Sequence, residues 1–354
     1  MKKTNFLYAS AIMMAMAFGV QSCSEIVDNP APEPKDPIVE AIEKGATLND
    51  LIANPEFVKN HTLTLPAGAK VELNETLALD APIIITADGA PATIVAKAGF
   101  VTSSSIIFEG IDIDAAEVET PFIQLADTTL QGEEKSIGID FINLVNSSIL
   151  NLKYQFIYAN KQPYLIKGIV IDNSVIGVDG SNKKTIFDFN SGGNTELLSI
   201  NNSTIYSIPT IANNGGFFSS QGGKEVTDLG GETFTISITN STLYNITNGK
   251  TLNSLRKNSQ TYQKFIVKNN IVVDCGKSAQ FLKGLNAGQA GKDENWDVDG
   301  NCFNFEGAVI AEQQIGTTAE NIKNSIDAVV TFADAEKGDF TQSNTKAGDP
   351  RWLK

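Results

Sequence analysis

Residues 199–209 read SINNSTIYSIP and residues 237–247 read SITNSTLYNIT. The two phrases share a frame: a short alternating apolar run, an Asn-Ser turn, and a second apolar run. Further copies follow on alignment. FINLVNSSIL carries its Asn at 146, GIVIDNSVIG at 173, LLSINNSTIY at 202 and ISITNSTLY at 240. FIVKNNIVV matches with Asn269 and Asn270, DVDGNCFNF with Gly300 and Asn301, and IIFEGIDID more loosely with Gly110. APIIITAD is looser still. By their numbering the turns lie 36, 27, 29, 38, 29 and 31 residues apart. Val, Ile, Phe and Thr fill both runs, as strands require. Asn accepts left-handed backbone, and its amide bonds within the turn.

A repeat of this length, with no amphipathic helix between copies and no recurring hairpin signal, predicts a chain wound in coils. Each coil stacks its strands in parallel on the last, about 4.8 Å away. Like positions then form columns, and the turn asparagines can bond to one another up the stack. The expected fold is all-β, a single-stranded parallel β-helix running over about residues 60–310. Short helical caps close it: PIVEAIEKGATLNDLIA (37–53) at the start and AENIKNSIDAVV (319–330) in a C-terminal cap spanning 311–354. The domain as a whole is expected to cover 37–354, with LTLPAGAKVEL (63–73) opening the first coil.

The start of the chain reads differently. Lys2 and Lys3 precede an apolar run from Leu7 to Val20 that is too short for a stable membrane span. Val20-Gln21-Ser22-Cys23 then resembles a bacterial lipobox. That resemblance implies a signal peptide over 1–22, lipidation of Cys23, and attachment to a membrane through the lipid. The segment 23–36, rich in Pro and acids, reads as a flexible tether. The chain has 354 residues and a formal charge of −14. Such a surface repels nucleic acid, and it repels polyuronate unless calcium bridges the two.

The coil pattern resembles the right-handed parallel β-helix of the pectin-lyase-like superfamily. The lipobox, TLTLPAGAKVEL, FIVKNNIVV and the ending FADAEKGDFTQSNTKAGDPRW are similar to surface lipoproteins, built from domains of unknown function, that accompany Gram-negative glycan-uptake systems. The resemblance implies an envelope protein, anchored to the outer membrane and facing the cell exterior. Catalytic relatives use calcium-holding acids with an Arg or Lys base. Arg256 stands in NGKTLNSLRKNSQTYQ, a long insertion between the coils at 240 and 269, so Lys250, Arg256 and Lys257 are the candidate lyase bases. Arg351, in the terminal GDPRW, is expected to make structural contacts.

The remaining candidates follow from the residues themselves. The chain has one His, His61, before the first full coil, which leaves no His cluster for zinc and no well-placed triad. Two D-x-D pairs, Asp112 with Asp114 and Asp297 with Asp299, share a face about 6.6 Å apart along the strand. Ile111 and Ile113 face inward, so these acids face water and would suit weak calcium binding; no other cofactor is implied. Cys275 and Cys302 fall in different columns and read as buried small hydrophobes without a disulfide. Tyr206 and Tyr244 share an outward column, with Gly177 below them leaving their faces uncovered. With Asn245 beside them they form a candidate platform for a sugar ring. Two loops would wall it: 213–223, with Phe217 and Phe218, and 284–296, ending in Trp296. These features favour a non-catalytic glycan-binding lipoprotein. A polysaccharide lyase or glycoside hydrolase, and a structural or adhesive surface protein with a protein partner, are the alternatives.

Overall fold

The structure, a computed structural model, describes residues 35–127, 137–160, 163–189, 193–209, 216–220, 234–247, 253–255, 262–275, 296–310 and 322–354. Residues 36–354 form one compact unit. It opens with two short helices whose ends are set by local chemistry. In α1, Pro37–Glu43, the Asp36 side chain accepts from the Ile38 amide at 2.7 Å and Pro37 pre-sets the first turn. In α2, Leu48–Ala53, Thr47 and Asp50 form a reciprocal capping box. Leu48 and Leu51 of α2 are fully buried and plug the end of the first coil, as the sequence predicts.

Beyond the helices the chain is a parallel β-helix. Among the described residues its strands form three sheets, of 12, 10 and 7 strands. Each full coil contributes one strand to each sheet in turn. In one coil Ile137–Val145 lies in the first sheet, Ser148–Leu152 in the second and Ile157–Tyr158 in the third. The next coil repeats this with Tyr164–Asp172, Val175–Asp179 and Thr185–Asp188. All pairing between coils is parallel, and the registers reproduce the sequence alignment. Ile142, Ile169, Leu198, Ile236 and Phe265 form one inward column, and Ile149, Ile176, Ile205, Leu243 and Val272 another. Every one of these side chains is buried. A phenylalanine ladder fills the space under the third sheet, with Phe122 stacked on Phe156 at 6.2 Å and Phe187 edge-on to Phe156 at 5.8 Å.

The bend between the first and second sheets is the repeated turn. Gly110, Asn146, Asn173, Asn202, Asn240, Asn269 and Gly300 all have φ between 46° and 68°. Glycine and asparagine enter this region at the lowest cost, which is why they recur there. The asparagines bond along the stack: Asn173 Nδ2 donates to Asn146 Oδ1 at 2.8 Å and Asn269 Nδ2 to Asn240 Oδ1 at 3.3 Å. A second, inner ladder lies one residue further on. The Oγ of Ser147 accepts the Ile111 amide, Ser174 that of Ser147, Ser203 that of Ser174, and Ser241 that of Ser203, at 3.0–3.2 Å. Asn270 and Asn301 continue the column with their Oδ1 atoms. Each serine hydroxyl also donates to the carbonyl two residues back, at 2.6–2.7 Å. These side chains satisfy backbone amides that the turn removes from the strand ladder.

Three expectations need correction. Phe217 and Phe218 are not on a loop: they sit in the strand Gly216–Ser220 of the third sheet, 0 % and 1 % exposed, against Phe187 and Phe189. The flanking glycines suggest a loop, but two adjacent aromatic rings find more apolar area inside the coil than outside it. Trp296 starts the strand Trp296–Asp299 and stacks on Phe265, its register partner, at 4.9 Å, so it extends a column rather than walling a site. The expected C-terminal cap helix is absent from the described part of 319–330. Ile322–Lys323 is instead a further strand of the first sheet, followed by Asn324 at φ 49°. IKNSI is one more copy of the turn phrase, and Asn324 Nδ2 donates to Asp299 Oδ1 at 2.8 Å.

Ser174 is fully buried and serves two backbone groups. Ser174→Ala is therefore expected to destabilise the unit by about 1–3 kcal/mol, the cost of leaving a buried amide unpaired. Urea denaturation of the two proteins measures it, and an unchanged midpoint would show that the inner ladder contributes nothing.

Candidate functional site

The tyrosine column forms as the spacing requires. Gly177, Tyr206 and Tyr244 are register partners on the second sheet. A Cβ on Gly177 would lie 2.8 Å from the Tyr206 hydroxyl, so a larger residue there would have to push that ring aside. The rings are not uncovered, however. Phe340, itself 0 % exposed, packs on Tyr206 at 5.0 Å and on Tyr244 at 5.5 Å, and Phe332 meets Tyr244 edge-on at 5.8 Å. Trp352 closes the cluster against Phe340 at 6.0 Å. Asn245 is buried beside Tyr244, 8 % exposed. Burial raises the hydroxyl pKa of both tyrosines. The proposed sugar platform is thus occupied by the chain's own C-terminal segment, which crosses the flank of the second sheet instead of capping the end of the stack.

That strap is fastened at its tip. Asp349 Oδ2 accepts from Thr204 Oγ1 at 2.7 Å and lies 3.2 Å from Arg351 Nε, while Oδ1 accepts the Arg351 amide at 3.1 Å. Trp352 Nε1 donates to Thr204 Oγ1 at 2.8 Å, and Arg351 Nη2 reaches Asn173 Oδ1 of the outer asparagine ladder at 3.1 Å. Gly348 passes so close to the second sheet that a Cβ would stand 2.7 Å from Ile271 Cδ1, at φ 93°. Arg351 makes the structural contacts expected of it.

The acidic pairs do face outward, around buried Ile111, Ile113 and Val298. Neighbouring coils engage each of them. Asp112 accepts from Ser148 Oγ at 2.6 Å and Asp114 from Asn151 Nδ2 at 2.9 Å. Asp297 pairs with Lys268 at 2.7 Å, and Asp299 receives Asn324. His61 is exposed in the turn before Thr62–Leu65, at φ 62°. Cys275 and Cys302 are free and buried, in different columns; burial pushes their thiols up to about 12 and about 11. Lys250, Arg256, Lys257 and Cys23 lie outside the described residues.

The exterior offers a different aromatic surface. Phe141, 45 % exposed, is the aromatic ring that stands most open among the described residues. It lies on the outer face of the first sheet, opposite Gly168 of the next coil. A Cβ on Gly168 would come within 3.1 Å of the ring edge, so the ring packs close to the glycine while 45 % of Phe141 stays exposed. Asp140 and Lys167, exposed and paired at 2.7 Å, flank it, and Asn143 follows two residues along the strand. Asp140 raises the Lys167 pKa through its hydrogen bond and its charge. The Phe141 amide is held by Ser105 Oγ at 3.1 Å. This platform was readable in principle: the parity of FINLV places Phe141 and Asn143 outward once Ile142 and Leu144 are inward, and alignment puts Gly168 beside it.

By fold the protein is a parallel β-helix. Comparison with known families adds one match: residues 73–208 fit the family model described as Domain of unknown function (DUF4957). The match covers well under half of the chain and runs from the strand Lys70–Leu73 to the strand Thr204–Ile208. Neither a curated protein nor a solved structure matches the chain.

The Asp349 carboxyl is held above its ordinary value of 3.8, chiefly by burial, against the opposing pull of Thr204 and Arg351. A folded pKa above the unfolded one means that folding takes up a proton between the two values. The contribution of Asp349 is therefore fully present below pH 3.8 and declines as pH rises through the folded value. Thermal denaturation of the wild type and Asp349→Asn, compared from about pH 3 to about pH 7, should show the difference moving in favour of the variant as pH rises. A constant difference would contradict the burial argument.

Proposed function

We propose that this protein is a lipid-anchored envelope protein that binds a polysaccharide on the outer face of its first sheet and does not cleave it. The observation that carries the reading is the exposed Phe141 ring beside Gly168, with Asp140, Lys167 and Asn143 within the same patch. The C–H face of a pyranose is apolar and stacks on such a ring, while its hydroxyls meet polar neighbours. The parallel sheet on either side continues across successive coils, along which a chain of sugar units could extend. Binding without cleavage is supported by the engagement of both D-x-D pairs in contacts between coils, which leaves their carboxylates committed to the fold. Kinship with the pectin-lyase-like superfamily and with surface lipoproteins of glycan-uptake systems is supported by the parallel coils and the lipobox. That kinship would place the protein on the outer membrane.

Two measurements test this. A glycan array followed by titration should find a polysaccharide whose affinity falls about tenfold, roughly 1.4 kcal/mol, in Phe141→Ala, with no new reducing ends or unsaturated products in either protein. The ring is 45 % exposed and lies on the outer face of the sheet, outside the core, so the substitution should change the denaturation midpoint only slightly. Unaltered affinity, or product release, would remove the reading. For the anchor, Cys23→Ser should shift the protein from the membrane fraction to the soluble fraction, and continued membrane association would exclude lipid attachment at that residue.

A further inference from the structure

A second surface feature lies on a different part of the coil, at the corner between the second and third sheets. Three successive coils contribute to it: Glu119 from the first, Lys153 and Tyr154 from the next, and Ser181, Lys183 and Lys184 from the third. Together they line a cleft of about 270 Å³. Lys153 is paired with Glu119 at 3.2 Å. Lys183 and Lys184 are exposed and have no carboxylate partner within ion-pair distance among the described residues. In a chain with a formal charge of −14, this pair of uncompensated ammonium groups stands apart from the surrounding acidic surface.

The backbone beneath them is fixed. Asn182 is fully buried; its Nδ2 donates to the Tyr154 carbonyl at 2.9 Å, and its Oδ1 accepts the Lys184 amide at 2.7 Å. The Ser181 amide is held by Asp179 Oδ1 at 2.7 Å, so that acid is already engaged. Gly180 faces Pro209 so closely that a Cβ would lie 2.6 Å from Pro209 Cδ. The corner therefore presents two lysines, a serine hydroxyl and a half-buried tyrosine on a hydrogen-bonded turn, and among the described residues no carboxylate pairs with Lys183 or Lys184.

We infer that this cleft binds a sugar-sized ligand carrying a tetrahedral oxyanion, a sulfate or phosphate ester. The volume lies just under the range of ordinary small-molecule pockets, which suits one substituted sugar unit. The donor set decides the anion. Lysine ammonium groups are point charges without the planar fork that matches a carboxylate edge to edge. Two separate ammonium groups and a hydroxyl instead meet the several diverging oxygens of a sulfate or phosphate. The ring of Tyr154 supplies the apolar wall for the sugar body. The site is separate from the Phe141 platform and does not depend on it.

The test is calorimetric titration of the full chain with glucosamine 6-sulfate, glucose 6-phosphate, glucuronate and glucose. At least one of the two esters is expected to bind, with an affinity that weakens as salt is added. Tighter binding of the sulfate identifies a sulfated polysaccharide as the source, and tighter binding of the phosphate a phosphorylated glycolipid. The double variant Lys183→Gln, Lys184→Gln should lose about tenfold in affinity for the ester, since charged contacts of this kind dominate recognition of an anion. Phe141→Ala should bind the ester as the wild type does. The inference is overturned if neither ester binds, if glucose or glucuronate binds as tightly as the better ester, or if the double variant keeps wild-type affinity. Circular dichroism of the double variant confirms that any loss is not unfolding, because both side chains are exposed.

Discussion

The turn that joins the first sheet to the second governs the whole molecule. It needs a residue in the left-handed region and, immediately after it, a small side chain that can reach a backbone amide of the preceding coil. Asn-Ser meets both demands. The asparagine accepts φ near 48°, and the buried serine or asparagine oxygen restores the hydrogen bond that the bend removes. Because each such oxygen serves the coil before it, the ladder also fixes register. A one-residue slip would move the buried serine column out of the interior and turn every inward Ile and Leu to the surface. Coil lengths can then vary freely elsewhere, and the variation is absorbed in the connections that lead back to the first sheet.

Columns have a consequence for the outside. Parallel stacking places equivalent outward residues next to one another, so any surface feature is shared between coils. The fold uses one such flank for itself. Tyr206 and Tyr244 project from the second sheet, and the C-terminal strap covers them with Phe332, Phe340 and Trp352. Buried Asp349 holds the end of the strap through Thr204 and Arg351. Among the described residues the exterior keeps an open aromatic ring at Phe141 and a basic corner at Lys183 and Lys184. Both are assembled from neighbouring coils: Phe141 lies beside Gly168, and the lysines stand beside Tyr154 of the coil before.

The two candidate sites read from the sequence were both taken up by the fold, for one reason. Alternation along a strand tells which side chains point out, and it did so correctly for Tyr206, Tyr244 and the D-x-D acids. It cannot tell what another segment of the chain lays over them. The tyrosine platform was lost to residues about a hundred positions later, and the acids to partners on adjacent coils.

The sequence by itself determined the coils. A left-handed turn admits few residue types and a buried strand demands alternation, so the repeat of Asn-Ser between short apolar runs specifies parallel winding and its register. The same signals placed Cys275 and Cys302 in separate columns. IKNSI carries the same Asn-Ser turn, but the helical spacing of 319–330 predicts a cap, and it is the pairing of Ile322 with Val298 that makes it a further coil. Only the tertiary structure decided which outward faces stay open. That depends on contacts between residues far apart in the chain, such as Asp349 with Thr204 and Phe340 with Tyr206, and no local rule of propensity or periodicity encodes them.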